Sequence, residues 1–269
     1  MKHFILAAFL FFSVHVSATD NPPLGARTQG MGGCGTALHN DVWGVQNNQA
    51  SLAGIETFQA ALFYESRFMV SELGMKALAV GMPTKHGTFG LNVNSFGYSQ
   101  YSETKAGFAY SRKLGERFSM GVQLDYFNTR IGENYGSSSA VGGEIGILAE
   151  PVKNLTVGLH LFNPTRTRLN GNLDERIPTI MRFGMSYKFS DQVFIIAEAE
   201  KDIDYKTTFR GGIEYRPMPA FYIRAGAASN PGLVAMGFGV ALKKFRLDVA
   251  SSFHAQLGFS PSVGLQYGF

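Results

Sequence analysis

Beyond the first twenty residues the chain carries four histidines, His39, His86, His160 and His254, and one cysteine, Cys34. A transition-metal site needs imidazole or thiolate ligands at short, repeated spacings. These residues show no such spacing, so no metal and no cofactor are expected. Ser252 and His254 share one face of a strand pattern. Residues two apart in a strand sit about 6.5–7 Å from each other, too far for a nucleophile–base contact. The stretch "GMGGCG" (30–35) fits G-x-G-x-x-G, but no strand precedes it and no long helix follows, so it lacks the frame of a dinucleotide site. Its glycines read instead as tight turns and close backbone packing. No enzymatic chemistry is expected.

The elements that would carry these residues are strands. "LVAMGFGVALK" sets Val234, Met236, Phe238, Val240 and Leu242 against Ala235, Gly237, Gly239 and Ala241. "MRFGMSYKF", "FSMGVQLDY", "KTTFRGGIEYR" and "FRLDVASSF" alternate in the same way, which is the period of two that strands require. The opening "MKHFILAAFLFFSVHVSA" has Lys2, an apolar run and a small-residue end at Ala18. It reads as a signal peptide over residues 1–18, too short for a membrane helix. Its removal takes away one lysine and no acid, leaving a net charge of +3 from the +4 of the whole chain. The excess is spread along the sequence, so nucleic acid is not an expected partner.

Glycine (32) and phenylalanine (23) are abundant, charged residues make up only 16%, and no later run is apolar enough for a helical span. An exported chain of this kind fits a closed transmembrane antiparallel β-barrel; a secreted β-sandwich is the alternative. Short turns recur at 83–87, 114–117, 151–154, 190–191, 217–219 and 243–244, while 131–139 and 163–179 are long. That pattern predicts about 14 strands over residues 57–269, at roughly fifteen residues per strand and turn, with 12 strands as the other possibility. The short turns would face the periplasm.

The last residues, "SVGLQYGF", keep the alternation to the end. A terminal strand must pair with the first, because an open edge in lipid leaves backbone groups unsatisfied. Leu265, Tyr267 and Phe269 share a face and resemble the C-terminal insertion signal of bacterial outer-membrane barrels. That resemblance implies the barrel-assembly machinery and outer-membrane lipid as partners, in the outer membrane of a Gram-negative-type bacterium.

Residues 19–56 do not alternate. They are too few to fold alone, so they should fill the barrel mouth as a plug, with Asp41 capping a short helix and Trp43 as its main apolar anchor. The stretch "GARTQGMGGCGTALHNDVWGVQNNQASLAG" resembles the N-terminal hatch of FadL- and PorV-like outer-membrane barrels. Gly25, Arg27, Gly30, Met31, Gly32, Gly33 and Asp41 match its first motif. Asn48, Ala50, Leu52 and Ala53 match its second, where Gln49 and Ser51 replace Pro and Gly. The resemblance implies a fourteen-stranded barrel with an internal hatch. It also implies passage or binding of a small hydrophobic molecule or, in the PorV-like case, an accessory of type IX secretion that binds exported proteins.

Within such a barrel, Arg182, Lys188, Arg210, Arg216, Arg224 and Arg246 are expected on the lumen face with Glu198, Glu200, Glu214 and Asp248, forming interior salt bridges that brace the wall. Leu78, Val80, Phe194 and Ile196 are expected as an apolar collar seating the plug. Phe96, Phe127 and Phe162 are expected as an upper apolar group able to receive a ligand.

Overall fold

A computed structural model describes residues 21–132, 136–169 and 176–268. Residues 1–18, read above as a signal peptide, and Phe269 of the expected insertion signal lie outside the described residues. Fourteen antiparallel strands close into one barrel, each paired with its neighbours in sequence and β1 with β14. They are β1 (Gln59–Ser66), β2 (Gly74–Thr84), β3 (Gly87–Gly97), β4 (Tyr101–Lys113), β5 (Phe118–Ile131), β6 (Gly136–Val152) and β7 (Leu155–Phe162). After the long connection come β8 (Ile180–Lys188), β9 (Val193–Asp202), β10 (Thr208–Met218), β11 (Phe221–Ser229), β12 (Gly232–Leu242), β13 (Phe245–His254) and β14 (Gly258–Tyr267). The fourteen-strand expectation holds. Closure sets Leu62 opposite Leu265 and Ala60 opposite Tyr267, so the terminal strand has no open edge.

The six short turns foreseen from the sequence join β2–β3, β4–β5, β6–β7, β8–β9, β10–β11 and β12–β13 at one end. Both ends of the strand run, Gln59 and Tyr267, lie there too, as in barrels whose short turns face the periplasm. Aromatic pairs band this rim: Phe245 with Tyr267 (5.2 Å between centroids), Tyr187 with Phe189 (4.7 Å) and Phe89 with Tyr110 (5.1 Å). They occupy the level at which amphipathic rings meet lipid headgroups. The opposite end is not uniformly long-looped, since only Asn230 and Pro231 separate β11 from β12.

Large apolar side chains face outward and small or polar ones inward. Met236 and Phe238 are exposed while Ala235, Gly237 and Gly239 point into the barrel. An arginine on the lipid face costs about 2–4 kcal/mol at the bilayer midplane. Phe238→Arg should therefore lower the stability of the barrel folded into lipid vesicles by that amount in a denaturant titration. Wild-type stability in this variant would reverse the assignment of the two faces.

One expectation about facing is overturned. Leu78, 41% exposed, and Val80 lie on the outer face of β2, together with Met82, and cannot form a collar inside. The inward residues of β2 are Met75, Ala77, Ala79 and Gly81. The reason is steric: a Cβ on Gly81 would lie 3.0 Å from Ile55 of the enclosed segment, so this wall has room only for small groups. Phe194 and Ile196 of β9 do face inward.

Candidate functional site

The barrel encloses residues 21–55. Two short helices, α1 (Ala26–Gly30) and α2 (Gly44–Asn47), precede a 3-10 turn over Gln49–Gly54. Between the helices, Gly32 (φ 71°) and Gly33 (φ 85°) take left-handed backbone that disfavours side chains. The wall is equally bare where they approach it. Gly212 and Gly226 are cross-strand partners on β10 and β11. A Cβ on Gly212 would lie 2.5 Å from Met31 Cβ, and one on Gly226 2.2 Å from Met31 C. Gly30 packs against Gly237 with 3.1 Å between its would-be Cβ and the Gly237 Cα. The glycine-rich stretch thus serves close packing, as its sequence suggested.

Side chains fix the rest of the segment. Asn48 donates from Nδ2 to Thr36 O (2.7 Å) and Ile147 O (3.1 Å), and its Oδ1 accepts from Ala50 N (3.1 Å). Asp41 Oδ1 accepts from Trp43 N (3.0 Å), just ahead of α2. Trp43 meets Phe63 of β1 edge to face, centroids 5.8 Å apart. Both belong to one apolar cluster with Val42, Val45, Leu52 and Ile55 of the segment and Ala61, Met75, Ala77 and Ala79 of the wall. The seat of Trp43 is therefore β1–β2, not the expected collar. Phe194 and Ile196 serve a second patch, packing with Met31, Cys34, Ala37 and Leu38.

Charged groups form two networks around this segment. In the first, Arg27 grips Glu214 through two bonds (3.0 and 2.8 Å), Arg224 bridges Glu214 (2.6 Å) and Asp248 (2.7 Å), and Arg246 meets Asp248 (2.8 Å). Arg210 joins Glu198 (3.1 Å) to Glu200 (2.8 Å), and Arg182 also meets Glu200 (2.5 Å). The expected pairs of Arg182, Arg210, Arg224 and Arg246 are present, whereas Lys188 meets the exposed turn residue Asp191 and Arg216 bonds the Pro219 carbonyl rather than an acid. A buried charge needs a partner and hydrogen bonds to offset its lost hydration, and here the carboxylates of the wall supply both. Glu198 does more: its Oε2 accepts the backbone amides of Gly35 (3.0 Å) and Thr36 (2.9 Å), tying segment to wall.

The second network was not read from the sequence. Glu144 of β6 binds Lys105, accepts from Gln49 Nε2 (2.6 Å) and lies 2.7 Å from His160 Nε2. Arg182 and Lys105 both bond Asn21, at the start of the enclosed segment. Only the alternation of β4 and β6 hinted that Lys105 and Glu144 point inward. His160 is thus a wall group inside an ion network. His254 Nδ1 accepts the amides of Gln256 and Leu257 (3.2 Å each), which caps a loop and gives Ser252 no base.

The three upper phenylalanines all face inward but separate into two places. Phe127 and Phe162 meet edge to face at 5.8 Å and pack with Ala140, Ile180 and two loop residues, Leu169 and Ile177. Phe96 packs instead on the Trp43 cluster and carries Arg67 at 5.0 Å from its ring centre. The structure thus buries Phe127 and Phe162 in an apolar cluster capped by Leu169 and Ile177 of the connection after β7. Leu169 and Ile177 were the available signal, as isolated apolar residues in a polar loop.

No family model matches the chain, and no curated protein matches it. Solved structures do. A monoaromatic hydrocarbon channel, CymD, superposes with a TM-score of 0.74 at 15% identity, over 94% of this chain and 99% of that one. The toluene transporter TbuX of Ralstonia pickettii gives 0.71 at 13% identity, over 93% and 99%. The toluene transporter TodX of Pseudomonas putida gives 0.74 at 12% identity, also over 93% and 99%. At these identities the likeness is one of architecture, and it spans both chains almost end to end: the protein has the fold of the FadL-type outer-membrane barrels.

Proposed function

We propose that the protein is a non-enzymatic outer-membrane channel for small hydrophobic molecules, with residues 21–55 acting as its plug. The observation that carries this reading is the end-to-end likeness to monoaromatic hydrocarbon and toluene channels. The apolar cluster at Phe127 and Phe162, on the long-loop side, is compatible in its chemistry with an apolar cargo. Paired charges around the plug leave little reason for a polar solute to pass, since each inward arginine of the network is already matched by carboxylates. The alternative of a type IX secretion accessory rests on the hatch motif alone; no surface feature of the described residues favours it.

The test is uptake by whole cells. A Gram-negative host lacking its own hydrocarbon channels should take up labelled toluene several-fold faster when it makes this protein, with no gain for a sugar of similar mass. Equal toluene uptake with and without the protein would overturn the channel reading.

A further inference from the structure

A cavity of about 200 Å³ opens at the short-turn end, between the enclosed segment and the ends of β8–β11. Leu38, Phe194 and Tyr222 give it apolar walls, and Lys188, Asp191, Arg216 and the Arg27–Glu214 pair give it charge. These charges are unevenly matched. Arg27 is held by both oxygens of Glu214. Lys188 meets Asp191 at 2.7 Å, but both groups are exposed, so solvent screens that pair.

Arg216 is different. Its Nε and Nη2 both donate to one backbone carbonyl, Pro219 O (3.1 and 2.7 Å), and no carboxylate of the described residues lies within ion-pair distance. Its guanidinium stands 5.4 Å from the centre of the Tyr222 ring, which fixes its plane. Arg27 of the enclosed segment and Arg182, Arg210, Arg224 and Arg246 of the wall each meet at least one carboxylate. The cavity therefore holds a cationic fork near the exposed carboxylate of Asp191 but with no carboxylate of the described residues at ion-pair distance.

We propose that this cavity binds a small amphipathic carboxylate from the periplasmic side. Its carboxylate would take the free edge of Arg216, with Lys188 alongside, and its apolar body would lie against Leu38, Phe194 and Tyr222. A planar guanidinium matches a carboxylate through paired N–H bonds. The volume is below the about 300–1,000 Å³ of sites for drug-sized ligands, which limits the occupant to a single ring or a short chain and excludes a polypeptide segment. The site does not depend on hydrocarbon passage.

The test uses the full barrel in zwitterionic nanodiscs, with empty discs as reference, titrated with benzoate, benzyl alcohol and acetate. Benzoate should bind about tenfold tighter than either of the others, because only it has both head and body. Arg216→Gln should abolish that preference and Arg216→Lys should recover part of it, each variant first shown to keep the heat-modifiable gel shift of a folded barrel. Lys188→Gln, on an exposed strand end, gives a second reading and should weaken benzoate severalfold. Equal binding of benzoate and benzyl alcohol, equal binding of benzoate and acetate, or wild-type benzoate affinity in both glutamine variants would overturn the proposal. Toluene uptake reads the channel hypothesis separately, so either can fail alone.

Discussion

Gly212→Val should unseat the N-terminal segment from the barrel wall, whereas Gly211→Val, one residue earlier on the same strand, should leave it in place. A Cβ on Gly212 would fall 2.5 Å from Met31 Cβ and 2.6 Å from Met31 O. Its cross-strand partner Gly226 faces the same backbone, so the wall offers no slack on that side. The obstruction includes main chain, which no rotamer change removes. Overpacking of this kind costs about 1–3 kcal/mol, and more when backbone must shift. Gly211 points to lipid and a Cβ there meets nothing within 4 Å. Amide exchange over residues 26–38 should accelerate strongly in Gly212→Val and match wild type in Gly211→Val, with strand amides protected in both. Slow, wild-type exchange in Gly212→Val would mean that the glycine contact does not hold the segment.

The contrast between these adjacent glycines also shows what could be read from the sequence. Facing was legible wherever one side of a strand was polar. In β9, Glu198 and Glu200 fix the phase, so Phe194 and Ile196 were placed inward correctly. In β2, the one charged residue of "GMKALAVGM", Lys76, is exposed on the same face as Leu78 and Val80, so polarity points to the wrong side and the informative alternation is between small and large. A one-residue error in phase then exchanges the two faces, which is how Leu78 and Val80 came to be expected inside. The governing rule is volume: bulky groups go to lipid, and Ala77, Ala79 and Gly81 face the crowded lumen. That rule needs knowledge of what fills the lumen.

Strand number and turn positions were legible because they depend on local periodicity and turn residues. The ion networks were half legible. Pairing of Arg182, Arg210, Arg224 and Arg246 with the acids of β9, β10 and β13 follows from neighbouring strands sharing a face. The bonds from Glu144 to Lys105, His160 and Gln49 join β6 to β4, β7 and the enclosed segment. They depend on how that segment is folded, which strand patterns do not record. For the same reason Phe96 was grouped with Phe127 and Phe162: one inward face, but different depths and different neighbours.

Trp43→Ala should loosen the enclosed segment without opening the barrel. Trp43 is the only tryptophan of the chain and is 4% exposed. Its ring fills the space beside Gly25, where a Cβ would come within 2.8 Å of Trp43 Cδ1, and it meets Phe63 edge to face. Gly25 itself sits at φ 101°, so the chain there is shaped around the indole. Removing a buried aromatic costs about 3–5 kcal/mol, because the void only partly collapses. That cost falls on the segment, since the strands keep their ladders and their lipid face. The far-ultraviolet circular dichroism should stay that of a β-barrel, while amides of residues 25–55 exchange faster and small solutes leak through reconstituted barrels. Leu78→Ala is the matched control: its side chain lies on lipid, so exchange in the segment should not change. If Leu78→Ala loosened the segment and Trp43→Ala did not, the seat would be the collar of Leu78 and Val80 after all. Indole fluorescence gives an independent check, because full quenching of the wild-type protein by aqueous acrylamide is incompatible with a ring enclosed between Gly25 and Phe63.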